Sequence, residues 1–225
     1  MNFSFLGKYS EYYLKGTEIT IVLAFFTVLF GTILGLTLTL LRRSKIKPIS
    51  YIATAYVEFV RGTPLLVQIY IIYIGLPQME GLPKIIGIPM GDILVGVIAL
   101  ALNSAAYVSE IIRAGIEAVD KGQMEAARSL GMSQSLAMIE VIIPQAFKNI
   151  LPALGNEFVS VIKESSQVSV IGVAELMYNA GVVRGNTALG LEPIIVAAVI
   201  YFILTFTLTR GLGYVERRLK ASDIR

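Results

Sequence analysis

Residues 125–131 read Glu125-Ala126-Ala127-Arg128-Ser129-Leu130-Gly131, and Pro144 follows after a mostly apolar interval. The stretch lies between apolar segments, yet it is too short and too polar to cross a bilayer itself. An alanine-rich run that begins with a carboxylate predicts a short helix with the acid at the positive end of its dipole. Gly131 predicts a left-handed turn at the end of that helix. A small, smooth helix in this position is typical of a surface that docks onto another protein.

The composition places the chain in a membrane. Its 225 residues are 55% hydrophobic with a mean hydropathy of +0.72, whereas a soluble domain has roughly 45–50% apolar residues. The chain has no cysteine and no histidine, which excludes disulfides, thiolate metal sites and histidine-based catalysis. Its net charge of +3 is too small to indicate nucleic acid. We predict a single all-α integral membrane domain over residues 1–225, with no metal, no cofactor and no catalytic residue.

Five apolar runs are long enough to span a bilayer, at residues 19–41, 51–76, 93–114, 145–176 and 193–212. Gly31 and Gly35 lie one turn apart in the first run, a spacing that predicts close helix packing. Basic clusters follow the first run (Arg42, Arg43, Lys45, Lys47) and the last (Arg217, Arg218, Lys220). The positive-inside rule places both clusters in the cytoplasm, with the N-terminus outside and the C-terminus inside. Only an odd number of spans allows this arrangement, and five satisfies it.

The fourth span is too long and too polar for a simple crossing. Residues 144–177 would make about 50 Å of helix, whereas the hydrocarbon core is about 30 Å thick. Lys163-Glu164-Ser165-Ser166-Gln167 interrupts it near the centre, so we predict two helical pieces with a polar break near 163–167. Such a break in a transporter indicates the substrate site. Two polar stripes lead into it, one of Asn156, Ser160, Lys163 and Gln167, the other of Glu157 and Glu164.

The second and third spans also carry charged residues, which usually face the bundle interior or a water-filled path. Glu58 and Arg61 share a helix face. They either neutralise each other and fix the packing or face the pathway, and both interpretations stay open. Thr63-Pro64 follows and predicts a kink. Glu110, near the cytoplasmic end of the third span, is expected to pair with Arg113.

Several motifs in order resemble the permease subunits of bacterial ABC importers, in the polar-amino-acid branch that serves histidine, glutamine or arginine. The run at 125–131 resembles the ATPase-coupling loop of this family, with Val141-Ile142-Ile143-Pro144 where the family has Ile-x-Leu-Pro. The other matching stretches are Arg61–Gln68, Ala106-Tyr107, Glu110–Arg113, Lys121–Gln123 and Ser169–Val173. Gln167 departs from the family pattern, because an apolar residue is often found there, and this predicts an altered contact to the substrate.

The resemblance implies a type I ABC importer-like subunit with five transmembrane helices and a cytoplasmic coupling helix at about 123–130. It also implies a second permease subunit (the same or a homologous chain), cytoplasmic ABC ATPase subunits and an extracytoplasmic amino-acid-binding protein. The expected location is the bacterial inner membrane, with lipid around the spans. The residues that it assigns to ATPase coupling are Gln123, Glu125, Ala126, Ala127 and Gly131.

The expected function is to form the pathway for a polar L-amino acid. The chain has no Gly-x-x-x-x-Gly-Lys-Ser/Thr phosphate loop, so ATP hydrolysis is expected in the partner and this chain is predicted not to be an enzyme. Central carboxylates outnumber central cations, which favours a basic substrate such as arginine, lysine or histidine. The candidate substrate-binding residues are Glu58, Arg61, Thr63, Asn156, Ser160, Lys163, Glu164, Ser165, Ser166 and Gln167.

The main alternative is a secondary amino-acid transporter driven by an ion gradient, because broken helices and buried carboxylates occur in that class too. Such a transporter usually has more spans and often internal repeats, and the sequence shows no repeat. Rings of one charge would favour an oligomeric channel, and a nucleophile–base pair would favour a membrane-embedded enzyme. The sequence shows neither pattern.

Overall fold

The computed structural model describes residues 1–76, 84–85 and 88–221, and nearly all of them are helical. A π-helical turn, Met138–Ile142, precedes α7, and a 3₁₀ helix, Ser165–Ile171, follows it. Two short strands, β1 (Lys84–Ile85) and β2 (Ile88–Pro89), pair antiparallel. The all-α membrane fold is confirmed, with this small hairpin as an addition. The helices are α1 (Leu6–Arg42), α2 (Lys47–Gly62), α3 (Leu65–Gly75), α4 (Met90–Glu117), α5 (Lys121–Ser129), α6 (Gln134–Ala137), α7 (Ile143–Glu164), α8 (Leu176–Thr187) and α9 (Glu192–Ala221).

The kink predicted at Thr63-Pro64 in the second span, 51–76, is confirmed, and it divides the span into two helices, α2 and α3. In the described part of the chain, four helical stretches are long and apolar enough to cross a bilayer: Leu6–Arg42, Ile93–Glu117, Gln134–Ile171 and Glu192–Arg218. α2 and α3 meet that criterion only together, and they are bent by 114° at the break between them. Thr63 and Pro64 are extended there, with ψ angles of 147° and 136°. Pro64 lacks an N–H, and its ring disfavours a helical conformation in the residue before it.

The fourth predicted span, 145–176, needs correction. The helical path begins earlier, at Gln134, and ends at Ile171, where Gly172 takes a left-handed conformation with φ of 91°. The polar run changes the type of helix at Ser165 and does not separate two pieces. The hydroxyls of Ser165 and Ser166 donate to carbonyls three residues earlier, at 2.8 and 2.7 Å. Serine hydroxyls that bond to these carbonyls compete with the regular backbone bonds of an α-helix, and the 3₁₀ helix begins at these two serines.

α1 packs against α2, α4, α7 and α8 and so holds the subunit together. Its closest approach is to α4, at the two glycines that the sequence singles out. A Cβ atom on Gly35 would lie 2.7 Å from Cβ of Val108 and 2.9 Å from the Ala105 carbonyl oxygen. A Cβ on Gly31 would lie 3.0 Å from Oγ of Ser104. The predicted close packing at Gly31 and Gly35 is confirmed, and α4 is the partner helix.

A buried carboxylate that the sequence reading missed fixes α8. Glu175 is fully buried and caps α8 by accepting a hydrogen bond from the Tyr178 N–H at 2.7 Å. The hydroxyl of Tyr201, on α9, donates to its other oxygen. The N–H of Leu176 donates to Thr20 on α1 at 3.2 Å. This one helix start therefore connects α8 to both α1 and α9.

Candidate transport pathway and coupling helix

The helix predicted at about 123–130 is observed as α5, Lys121–Ser129, and its predicted role in ATPase coupling stays a prediction. The carboxylate at its start is Asp120 and not Glu125, because Asp120 accepts the Gly122 N–H at 2.8 Å as the N-cap. This satisfies one of the free donors of the first turn. Gly131 has φ of 86° and its N–H donates to the Arg128 carbonyl at 3.1 Å. The predicted left-handed turn at Gly131 is confirmed.

The structure divides the predicted coupling residues between two faces of α5. Gln123, Glu125 and Ala126 are exposed, as is Gly131 beyond the helix end, whereas Ala127 is only 5% exposed and faces the protein. α5 packs against α6 and the π-helical turn, and these contacts fix the helix to the rest of the chain. One residue that the sequence reading left out belongs to the same surface, since Leu130 is 85% exposed.

The bend between α2 and α3 is held by an amide that the sequence reading did not predict. Nε2 of Gln68 donates to the Val60 carbonyl at 2.7 Å and contacts the carbonyl and hydroxyl oxygens of Thr63 at 3.1 and 2.9 Å. Val60 lies four residues before Pro64, so its carbonyl is the one that the missing proline N–H leaves free. Nδ2 of Asn103 donates to Oε1 of Gln68 at 2.9 Å and orients the amide. The side chain of Gln68 thus replaces the missing backbone donor.

Replacing Gln68 with leucine is expected to destabilise the protein by about 1–3 kcal/mol, because buried carbonyl oxygens lose their donor. The expected readout is a lower unfolding temperature of the purified protein in detergent. The matched control is Gln134→Leu, since Gln134 is exposed on α6. An equal shift for the two variants would show that Gln68 does not hold the bend.

A cluster of arginines surrounds Glu110 on α4. Arg42 of α1 binds the carboxylate of Glu110. Arg113 of α4 binds Oε2 of the same carboxylate at 2.8 Å, and Arg61 of α2 lies 3.4 Å from that oxygen. The predicted pairing of Glu110 with Arg113 is confirmed. Among the described residues, Arg61 pairs with Glu110 and not with Glu58, which disfavours the interpretation that Glu58 and Arg61 neutralise each other. The reason is tertiary: Glu110 comes from a different helix, packed against α2.

The two polar stripes of α7 differ in exposure. Asn156 and Lys163 are exposed, and Ser160 and Gln167 are partly buried. Glu157 and Glu164, on the adjacent stripe, are also partly buried. The hydroxyl of Ser104 on α4 donates to Oε1 of Glu157 at 2.7 Å. α7 therefore presents an amide and an ammonium outward and holds its carboxylates deeper.

The remaining candidate substrate-binding residues lie on different helices. Ser165 is fully buried, Ser166 is partly buried, and both use their protons within the helix. Glu58 is exposed on α2. The helix α2 packs against α1 and α4, whereas α3 packs against α4 and the 3₁₀ helix. The structure brings the 3₁₀ helix that follows α7 beside α3, the helix after the bend at Thr63. It places Glu58 and Arg61 on the other side of that bend.

The comparison with known sequences agrees with this architecture. Residues 27–221 match the family described as binding-protein-dependent transport system inner membrane component. The arginine transport system permease protein ArtQ of Bacillus subtilis (strain 168) is 43% identical over 228 residues, covering 99% of this chain and 100% of that protein. The probable glutamine ABC transporter permease protein GlnM of the same organism is 37% identical over 222 residues, covering 99% and 100%.

Solved structures show the same fold. A chain in the crystal structure of an amino acid ABC transporter with histidines is 50% identical and superposes with a TM-score of 0.87, covering 97% of this chain and 100% of that one. The MetNI methionine ABC transporter in an inward facing conformation has a TM-score of 0.75 at 16% identity, covering 92% and 95%, and shares the fold. This chain therefore belongs to the family of binding-protein-dependent transport system inner membrane components, and it is an ABC transporter permease subunit rather than an enzyme.

Proposed function

We propose that this chain forms the substrate pathway of an ATP-driven importer for polar L-amino acids, with a preference for basic substrates such as arginine, lysine or histidine. The relatives support the substrate class, because one is an arginine permease and another a probable glutamine permease. The proposal also includes a second permease subunit, a separate ATPase and an extracytoplasmic binding protein, the partners that the family implies.

The observation that carries the preference for basic substrates is the pair of carboxylates on α7. Glu157 and Glu164 are seven residues apart, which is about two turns, so they lie on one face of the helix. Both are partly buried, and the ion pairs within the described residues include neither of them. Charge inside a span is costly unless a partner neutralises it. A guanidinium or ammonium group of the substrate would supply that partner.

The α-carboxylate of the substrate needs hydrogen-bond donors and a positive charge as its partners. The neighbouring polar stripe provides the donors and the positive charge, through Asn156 and Lys163 of α7 and Gln167 of the 3₁₀ helix. Ser160 and Ser166 offer acceptor oxygens to the α-ammonium group, whereas the buried Ser165 contributes through the shape of the 3₁₀ helix. Thr63 lies at the bend before α3, and Glu58 and Arg61 on α2 would act at the other side of that bend.

We further propose that α5 docks onto the ATPase in the cytoplasm, with the N-terminus of the chain outside and the C-terminus inside. One cavity is lined by the ends of α1 and α4 and by the start of α5, so these three regions lie at the same end of the bundle. Three basic residues follow α1, namely Arg43, Lys45 and Lys47. The positive-inside rule supports a cytoplasmic location for that end. ATP shifts the spans between inward and outward states only through partners that bind the two states differently.

Glu164→Gln is expected to lower arginine uptake about tenfold while changing glutamine uptake less than about twofold, because one charge-assisted contact is lost. Uptake would be measured in proteoliposomes that contain the chain, its co-purified ATPase and the binding protein. The control is Glu18→Gln, an exposed carboxylate on α1, which should change neither substrate. Equal losses for arginine and glutamine would contradict the preference for basic substrates.

The same assay tests the class of transporter. An importer of this kind needs both enclosed ATP and the binding protein for uptake. Uptake that is indifferent to ATP but collapses with the ion gradient would overturn the proposal in favour of a secondary transporter.

A further inference from the structure

We propose that this chain binds the head group of an anionic phospholipid in a cavity at the cytoplasmic end of the bundle. The cavity has a volume of about 750 Å³ and lies where α1, α4 and α5 meet, with Thr54 of α2 at its side. It is separate from the polar stripes of α7. Its placement in the cytoplasmic leaflet rests on the proposed orientation, whereas lipid binding itself does not depend on transport.

Four basic side chains line the cavity, and two of them are held in place by the protein itself. Arg42 and Arg113 both bind Glu110, and Arg113 also binds Glu117 at 2.6 Å. The side chain of Arg42 is 18% exposed, so its guanidinium is fixed between helices. Both guanidinium groups are therefore fixed in position, with their charge balanced by Glu110 and Glu117.

The other two basic side chains have no anionic partner. Arg43, just after α1, and Lys121, at the start of α5, are exposed and line the same cavity. No ion pair joins either of them to another residue in the described ranges. Two acidic residues also line the cavity: Glu117, which binds Arg113, and Asp120, which accepts the Gly122 N–H with one oxygen. The four basic side chains of the lining outnumber the two acidic ones, and Arg43 and Lys121 are the two cations that no carboxylate pairs with among the described residues.

The apolar part of the lining points to a lipid and not to a free anion. Ile116, Met124 and Ile142 line the cavity beside the basic groups. The cavity also lies where two long apolar helices end, which is the level of the lipid head groups. Leu40, near the end of α1, is 64% exposed and offers an apolar surface to acyl chains. A basic pocket between spans on the cytoplasmic side is suited to an anionic head group.

The test compares two charge-matched double variants of the full chain, purified with its ATPase subunit. Arg43→Gln/Lys121→Gln removes the two unpaired cations of the cavity. Lys45→Gln/Lys47→Gln removes two exposed cations from the same end that do not line it. Native mass spectrometry with added phosphatidylglycerol would measure lipid binding. We expect the cavity variant to bind phosphatidylglycerol about tenfold more weakly, and the control to change less than about twofold.

Further measurements identify the molecule that occupies the cavity. Phosphatidylcholine should bind much more weakly than phosphatidylglycerol, and millimolar inorganic phosphate should not displace the bound lipid. The charge-retaining variant Arg43→Lys/Lys121→Arg should keep most of the binding. Equal losses in the two double variants would overturn the proposal, as would displacement by inorganic phosphate. Release of the ATPase in place of the lipid would overturn it as well, since the cavity would then be a contact with the ATPase.

Discussion

Replacing Glu125 with lysine is expected to abolish ATP-driven uptake while leaving the permease folded. Glu125 is exposed on α5, and the helix is fixed at one end by the Asp120 cap and at the other by the turn at Gly131. A helix held in this way moves as a unit, so its outer face can transmit a motion of the ATPase to the spans. Reversing one charge on such a contact places like charges together or removes a matched pair.

The measurement is uptake together with ATP hydrolysis in the same proteoliposomes. We expect the Glu125→Lys variant to lose at least about 90% of uptake, because opposing charges in a contact cost several kcal/mol. The control is Glu18→Lys, which reverses a charge on the exposed side of α1 and should leave coupling intact. Gly131→Asp tests the helix end separately, since φ of 86° is strained for any residue with a side chain. Full coupling in Glu125→Lys would show that α5 is not the coupling helix.

Gly35→Val is expected to prevent stable folding of the subunit. The first added carbon alone would lie 2.7 Å from Val108 and 2.9 Å from the Ala105 carbonyl, so α1 and α4 would have to separate. The carbonyl belongs to the backbone and cannot rotate away. Overpacking of this kind costs about 3 kcal/mol, and the contact lies between α1, which holds the subunit together, and α4.

The matched control is Gly211→Val, in the interior of α9, where nothing lies within 4 Å of an added Cβ. Both changes carry the same difference in helix propensity, so any further loss at Gly35 comes from packing. The readouts are the yield of monodisperse protein in detergent and its unfolding temperature. Equal behaviour of the two variants would contradict the close contact between α1 and α4.

The parts of the candidate site that could be predicted from the sequence depend on local chemistry. The short helix at residues 125–131 and the left-handed glycine after it follow from the sequence, because Gly131 needs no partner from elsewhere in the chain. The pairing of Glu110 with Arg113 also follows from spacing on one helix. The choice of Glu125 as the acid at the helix start was wrong, because Asp120 lies one residue before the observed start and has a side chain short enough to cap it.

The sequence by itself determined the first, third and last apolar spans, the close contact at Gly31 and Gly35, and the place where Pro64 stops α2. These features depend on hydropathy, on residue size and on a missing backbone donor, all of which are properties of single residues or their neighbours. Only the tertiary structure decided that the bend reaches 114°, that Gln68 and Asn103 hold it, and that Arg61 turns to Glu110. The periodicity of a helix shows which side chains share a face, but the partner of that face comes from a distant segment, and packing selects it.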